Sequence, residues 1–262
     1  MSRKLKRHRA IAEYYDFEYP HHEFLEQDVP FFLGQMPRRR RQSVLEIAAG
    51  TGRAAIPVAQ AGHRVVGIDF AADMLSIARR KRDAVGLTEK ELRLVHADAL
   101  SLNLREKFDW VCVFFNTFLA FPTLEEQDRL MQTIVRHLRP AGRFWLDLFN
   151  PDYQLLAADV STGLEPFVFH VPPLNRTVFK TTDVRRSPHL QVQRVTFNYT
   201  WFDAAGDECR RHTHFDMTWL FPRELRMLVE RHGLEVEHLF GNYDGSPLKA
   251  DSPRIIARCC RP

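Results

Sequence analysis

Residues Val44–Arg53 read VLEIAAGTGR. Val44, Leu45 and Ile47 make the short apolar run of a buried parallel strand. Gly50, Thr51 and Gly52 follow, with no bulky side chain before Arg53, and Ala54 to Ala61 reads as a helix. Strand, glycine turn and helix form the unit that sets backbone N–H groups and a helix N-terminus against a polar or anionic ligand. A lone Gly-x-Gly turn is a weak signal, so the rest of the chain decides its meaning.

Downstream, RVVGID over Arg64 to Asp69, LRLVHA over Leu92 to Ala97, FDWVCVFF over Phe108 to Phe115 and RFWLDLF over Arg143 to Phe149 read as strands. Helices are expected from Ala71 to Val85 and from Thr123 to Leu138, where Thr123 and Glu126 have the capping-box spacing. Gly62 and Gly86 supply helix stops. Five βα repeats on short links argue for an α/β fold with a mostly parallel sheet covered on both faces. After Pro151 the period changes to two, from Phe167 to Leu220, with Asp203 to Gly206 as a hairpin turn; this reads as an antiparallel β insertion. A helix from Pro222 to His232 and strands over Val236 to Phe240 and Arg254 to Cys260 close the chain, and their hairpin-like link implies one antiparallel sheet edge. Ahead of the core, residues 5–19 and 22–35 look helical, and Pro30 predicts a kink or a break. The expected organisation is an N-terminal helical cap over 1–42, a core over 43–150 and 221–262, and an antiparallel β insertion over 151–220.

The 262 residues are 45% hydrophobic and 27% charged, which fits one large globular domain or a domain carrying an insertion. No apolar run approaches the ~20 residues of a membrane helix, and the basic start lacks the apolar region of a secretory signal. The four cysteines show no zinc-knuckle spacing. They are expected to be reduced thiols in the cytoplasm, with no structural metal. The net charge is +4, with basic runs at Arg3 to Arg9 and Arg38 to Arg41. No stacking aromatics are interleaved with them, which favours solvated segments over a nucleic-acid or anionic-lipid surface.

Asp69 ends the second strand about twenty residues beyond the glycine turn, where a carboxylate accepts hydrogen bonds from both hydroxyls of a ribose; the alternative is an N-cap for the helix after it. Asp98, in HADAL, can accept from an adenine amine or simply close a turn. Met74 and Leu75 pack on a base or belong to the core. Glu46 is an acid inside an apolar strand, and burying it costs several kcal/mol unless it is paired. Its natural partner is a ligand ammonium, the alternative a structural salt bridge.

The series LEIAAGTGR, GIDF, HADAL, FDWVCVFFNTF and LRPAGRFWLDL resembles the class I S-adenosylmethionine-dependent methyltransferases over roughly Ser43 to Asn150. The resemblance implies a Rossmann-like, seven-stranded sheet, S-adenosylmethionine as methyl donor and S-adenosylhomocysteine as product. It places Glu46, Ala48, Gly50, Thr51, Gly52, Asp69, Phe70, Met74, Asp98, Ala99 and Phe115 around the donor, with Ala48 where the family commonly has glycine. A nicotinamide dehydrogenase is the competing reading; its fingerprint wants a third glycine where Ala55 stands, and RPAGRFWLDL favours the methyltransferase.

The acceptor is expected outside the carboxyl ends of the strands, lined by Asn116, Asn150, Tyr153, Tyr14, Tyr15 and the inner face of the insertion. FNTF does not carry the Asn/Asp-Pro-Pro-aromatic signature of nucleic-acid amino methyltransferases. The insertion and Tyr14-Tyr15-Asp16 are similar to features of small-molecule N-methyltransferases of the glycine and amino-sugar type. That likeness implies a small acceptor, an amine, with Tyr14 or Tyr15 closing over the donor and the insertion serving as lid, acceptor surface or homodimer contact. His212 and His214 alternate onto one strand face, as a base or as half-exposed strand residues. The alternatives kept open are an RNA or protein methyltransferase using the basic N-terminus, and a donor-binding protein without transfer.

Overall fold

The computed structural model describes residues 12, 14–18, 24–37 and 40–262. The chain divides into two compact units: residues 22–150 with 220–262, and the described part of 1–21 with 151–219. The division falls inside the stretch that the sequence reading treats as one N-terminal cap. Among the described residues no helix is long and apolar enough to cross a membrane.

The larger unit is built on β1 (Ser43–Ile47), β2 (Arg64–Asp69), β3 (Leu92–His96), β4 (Phe108–Val113) and β5 (Leu138–Phe149), which pair with one another in parallel. β10 (Glu235–Phe240) and β11 (Arg254–Cys260) complete a seven-stranded sheet in the order β10-β11-β5-β4-β1-β2-β3. β11 runs antiparallel to both β5 and β10, as the link before it implies. The strand order reverses at β1, which pairs β2 on one side and β4 on the other. A crevice opens outside the carboxyl ends of the strands at such a reversal, so the segments following β1 and β4 flank it.

All five residues of β1 are buried, Glu46 included. The helices of this unit are α1 (Phe24–Gly34), α2 (Ala55–Gln60), α3 (Ala72–Ala84), α4 (Leu124–His137) and α6 (Pro222–Arg231). α1 runs through Pro30 without a break. Pro30 and Glu26, whose carbonyl loses its helical partner, are both exposed, so water can meet the freed group. The buried side of α1 is aromatic: the Phe32 ring lies 5.3 Å from Trp110 and 5.2 Å from Phe114, both edge to face.

The capping box that opens α4 is formed as expected: Thr123 Oγ1 accepts from the Glu126 N–H at 3.1 Å, and Glu126 Oε2 accepts from the Thr123 N–H at 3.3 Å. Replacing Thr123 by alanine is expected to cost about 1 kcal/mol of stability, read as a lower midpoint in urea with an unchanged slope.

In the smaller unit, α5 (Tyr153–Leu156) leads into β6 (Val160–Val171), β7 (Arg176–Ser187), β8 (Val192–Phe202) and β9 (Glu208–Thr218), an antiparallel meander in sequence order. The turn between β8 and β9 is DAAG as expected, with Asp203 Oδ1 accepting from Ala205 and Asp207 N–H groups and Gly206 at φ +86°. The helical residues 14–18 pack on this sheet: Tyr14 sits in a cluster with Phe169, Val171, Val178 and Tyr199.

Candidate functional site

The glycine turn follows β1 at the strand reversal. Ala48, Gly50 and Gly52 all take positive φ, at 59°, 56° and 81°. Gly52 also packs tightly: a Cβ there would stand 3.0 Å from Ile56 Cδ1 and 3.3 Å from Ala78 Cβ. A Cβ on Gly50 would meet no atom of the described residues within 4 Å, so among them that backbone is open to close approach by a ligand. Ala48 holds a left-handed conformation that costs an L-residue about 1 kcal/mol or more, at the position where the resemblance wants glycine. Replacing Ala48 by glycine is therefore expected to raise stability, by about 1 kcal/mol after the entropic cost of glycine, seen as a higher denaturation midpoint.

Asp69 closes β2 and holds the turn. One carboxylate oxygen accepts from the Gly50 N–H at 2.9 Å and the other from the Ala71 N–H at 2.7 Å. The N-cap of α3 is Ala71, with no side-chain cap, so Asp69 ties the residue ahead of the helix rather than capping it, and it keeps lone pairs for hydroxyl donors. Burial raises its pKa, against those two N–H groups and the nearby His96, which favour the charged form. Asp98 is exposed; Oδ1 accepts from the Leu100 N–H at 2.9 Å, and Oδ2 takes no protein hydrogen bond among the described residues. Met74 is buried at the start of α3, and Ala99 is buried beside Asp98.

Glu46 lies next to Gly67 on β2 and Cys112 on β4. Burial pushes its pKa up to about 8, Arg53 opposes the shift, and the neighbouring carboxylates of Asp28 and Asp69 reinforce it. Arg53 is engaged with Asp28 through two bonds of 2.9 and 2.7 Å. Asp28 itself is 1% exposed, and burial raises its pKa in spite of that pair. Thus the arginine at the end of the turn locks α1 to the site. The structural salt bridge considered for Glu46 is formed by its neighbour instead.

On the other side of the reversal, β4 stops at Val113, two residues short of the expected end. Phe115 and Asn116 are both left-handed, at φ 45° and 59°. Consecutive strain of this kind persists only where the surroundings hold it, and here Asp147 and Arg254 do so. The Asp147 carboxylate accepts from the Phe115 N–H at 3.3 Å and the Tyr243 hydroxyl at 2.7 Å, and its carbonyl accepts from the Asn116 N–H at 2.9 Å. Arg254 is paired with the same carboxylate through Nε at 3.0 Å. Asn116 Oδ1 accepts from the Phe149 N–H and from Arg254. Asn150 directs its amide N–H groups to the carbonyls of Lys249, Ala250 and Ser252, closing the loop before β11. The two asparagines expected to line an acceptor are thus committed, through these atoms, to holding backbone.

Tyr153, the third such residue, lies on α5 and is 74% exposed. In the smaller unit Tyr14 is fully buried and its hydroxyl accepts from Arg176 at 3.0 Å, while Tyr15 is half-buried. Register sets Tyr199 opposite Arg211, and His212 and His214 opposite Asn198 and Thr196. The two exposed histidines therefore stand on the sheet face opposite the one that Tyr14 covers. Asp28, Arg53, Asp147, Arg254 and Tyr243 were not singled out by the sequence reading. The available signal was the one that flagged Glu46, a charge within an apolar segment, and it recurs in RFWLDLF and RIIARCC.

Comparison with known proteins agrees with this geometry. Residues 44–142 match the family model described as a methyltransferase domain. The cypemycin N-terminal methyltransferase of a Streptomyces species is 29% identical over 220 residues, 82% of this chain and 81% of that protein. The CcbJ methyltransferase from Streptomyces caelestis shares the fold with a TM-score of 0.78 at 22% identity, covering 96% of each chain. The sugar N-methyltransferase KedS8 from a Streptoalloteichus species does so with a TM-score of 0.68 at 23% identity, covering 91% of this chain and 87% of that one. The open glycine turn, the carboxylate that ties it and the acid after β3 fit S-adenosylmethionine as methyl donor. The chain is an S-adenosylmethionine-dependent methyltransferase with a Rossmann-like fold and an added antiparallel sheet.

Proposed function

We propose that this methyltransferase acts on a small-molecule acceptor and methylates it at an amine. The observation that carries the reading is that the relative matching four-fifths of both chains, and so reaching beyond the donor core, is named for transfer to an amino terminus. The named sugar N-methyltransferase shares the fold across the same extent.

When bound, S-adenosylmethionine supplies a methyl group activated by its positive sulfonium. Gly50 and Gly52 would admit its methionyl part against backbone, Asp69 would accept from the ribose hydroxyls and Asp98 from the adenine amine. Glu46 would face the donor ammonium. The protein's contribution is orientation and exclusion of water, for which about 7–11 kcal/mol is available in favourable cases. A neutral amine brings its own lone pair and needs no strong base, whereas an oxygen acceptor would. The exposed His212 and His214, on the face away from Tyr14, match that low demand. The four cysteines are free, as suits a reducing compartment.

The test is transfer of labelled methyl groups to a panel of small primary amines and matched alcohols. Product from amines and none from alcohols is expected. Product only from alcohols, or from RNA in a salt-sensitive manner, would replace this reading.

A further inference from the structure

At the amino end of the seven-stranded sheet, away from the glycine turn, an open cavity of about 390 Å³ is lined by Arg105, Lys107, Arg136 and Arg261. Three separate stretches bring these cations together. Arg105 and Lys107 lie on the loop into β4, Arg136 on the last turn of α4, and Arg261 just past β11. Backbone carbonyls aim two of the guanidinium groups: Arg136 Nη1 donates to Leu102 at 3.1 Å, and Arg261 Nη2 to Val135 at 2.9 Å. The Arg261 Nε–H is buried and finds no acceptor among the described residues. His137, itself buried, pins the loop. Its Nε2 accepts from the Leu104 N–H at 3.1 Å and its Nδ1 meets the Thr133 carbonyl at 2.7 Å. Burial lowers the His137 pKa, and the charges of Arg136 and Lys107 lower it further, against the Thr133 carbonyl and Glu106. The ring therefore stays neutral and keeps its acceptor nitrogen on the loop.

The positive charge here is uncompensated. Among the described residues none of the four cations is paired with a carboxylate; Glu106, on the same wall, is taken by Arg64 and Arg93. A helix C-terminus carries about half a negative charge, so α4 accounts for one neighbouring cation and not for four. Arg105 is also held left-handed at φ +54° without being glycine, and backbone strain of this kind gathers at ligand sites. Like charges held around one concavity focus a potential that draws in an anion. Guanidinium forks match phosphate oxygens two at a time. A single phosphate carries about −1.5 to −2 at neutral pH, well short of the four cations, and two linked phosphates come closer. The cavity has the size of a small-molecule site, which runs from about 300 to 1,000 Å³. No Phe, Tyr or Trp lines it, so it offers nothing for nucleic-acid bases to stack on.

We propose that Arg105, Lys107, Arg136 and Arg261 form a second binding site, for linked phosphates, at the opposite end of the sheet from the methyl-donor turn. The length of β4 separates the two sites by about 20 Å. The ligand is free pyrophosphate or a longer inorganic polyphosphate, which present the same chemistry to these four residues. The site lies wholly within the larger unit and shares no residue with the donor turn. It stands whether or not the amine reading above does.

The experiment is calorimetric titration of the full chain with sodium pyrophosphate in magnesium-free buffer, with and without saturating S-adenosylhomocysteine. One saturable site is expected, unaffected by S-adenosylhomocysteine and at least ~10-fold tighter for pyrophosphate than for orthophosphate. Tripolyphosphate separates the two sources: tighter binding than pyrophosphate supports the site as one for the longer chain, weaker binding as one for free pyrophosphate. Lys107→Gln and Arg136→Gln are expected to weaken pyrophosphate at least ~10-fold. Arg129→Gln removes an equal charge from α4 outside the cavity and is expected to leave the affinity within about 2-fold. Arg105→Asn guards against a loss that is only structural. Asparagine tolerates left-handed backbone, so this variant should melt no lower than the wild type and still bind at least ~10-fold more weakly. No saturable binding, displacement by S-adenosylhomocysteine, orthophosphate bound as tightly, or full affinity in Arg105→Asn would each overturn the site. So would a loss in Arg129→Gln as large as that in Arg136→Gln, or tighter binding of a single-stranded RNA oligonucleotide that all four variants weaken alike, since either describes a diffuse basic surface.

Discussion

Replacing Asp69 by alanine is expected to weaken the binding of S-adenosylhomocysteine about 100-fold, measured by calorimetry on folded protein; that ratio corresponds to about 2.7 kcal/mol. Two effects combine. The variant loses the acceptor for the ribose hydroxyls, and it releases the Gly50 and Ala71 N–H groups that the carboxylate now ties at 2.9 and 2.7 Å. Hydrogen bonds to a charged group contribute about 1.5–3 kcal/mol each, so loss of the turn's shape alone would be felt. Asp98→Ala is the graded comparison. Asp98 is exposed and one of its oxygens is already committed to Leu100, so a loss nearer 10-fold is expected there. Asparagine at 69 keeps one acceptor for a backbone N–H and should fall between. Undiminished binding by a folded Asp69→Ala protein would remove the donor assignment from this turn.

The contrast between these two acids shows what a sequence can carry. The glycine turn, Asp69 and Asp98 were legible because spacing along one chain segment fixes them. The turn needs residues that tolerate positive φ, and a strand of known length sets the interval to the next tip. β2 and β11 were read to the residue for the same reason, since hydropathy changes abruptly at their ends. β4 was read two residues too long, because Phe114 and Phe115 continue the apolar run while the backbone has already turned; left-handed strain at Phe115 leaves no mark on hydropathy. The supports of that strain were illegible too. Asp147 and Arg254 meet across 107 residues, and nothing local says which buried charge finds which. The division of the N-terminal stretch has the same origin: Tyr14 and Glu18 find Arg176 and Lys180, each 162 residues away. His212 and His214 were read correctly as sharing a strand face, but alternation alone gives no means of knowing that Tyr14 covers the other one.

Glu46 leads to the second large effect, a proton linked to the donor. With its pKa raised to about 8, the carboxyl is mostly protonated at neutral pH in the unliganded protein. A donor ammonium brought beside it favours the charged form, so binding should expel a proton. Calorimetry in buffers of different ionisation enthalpy should show close to one proton released near pH 7, with affinity rising as pH rises toward 8. In Glu46→Gln that release should vanish, and affinity should drop by more than 10-fold at pH 8 while changing less at pH 6. The same shift fixes the sign of a stability effect. The unfolded carboxyl ionises near 4.5 and the folded one near 8, so over that interval the unfolded chain binds fewer protons, and stability falls as pH rises until it levels off above the folded value. The full span is a few kcal/mol by the usual conversion of pKa shifts. Asp28 and Asp69, also raised by burial, act in the same direction above their ordinary range; Glu46→Gln should flatten the slope on the approach to pH 8 and should be more stable than the wild type at pH 8. Donor binding without proton release, or a variant that loses stability with pH as steeply as the wild type, would show that Glu46 is ionised before the donor arrives. The buried acid of β1 would then be held by protein charges rather than kept for the ligand.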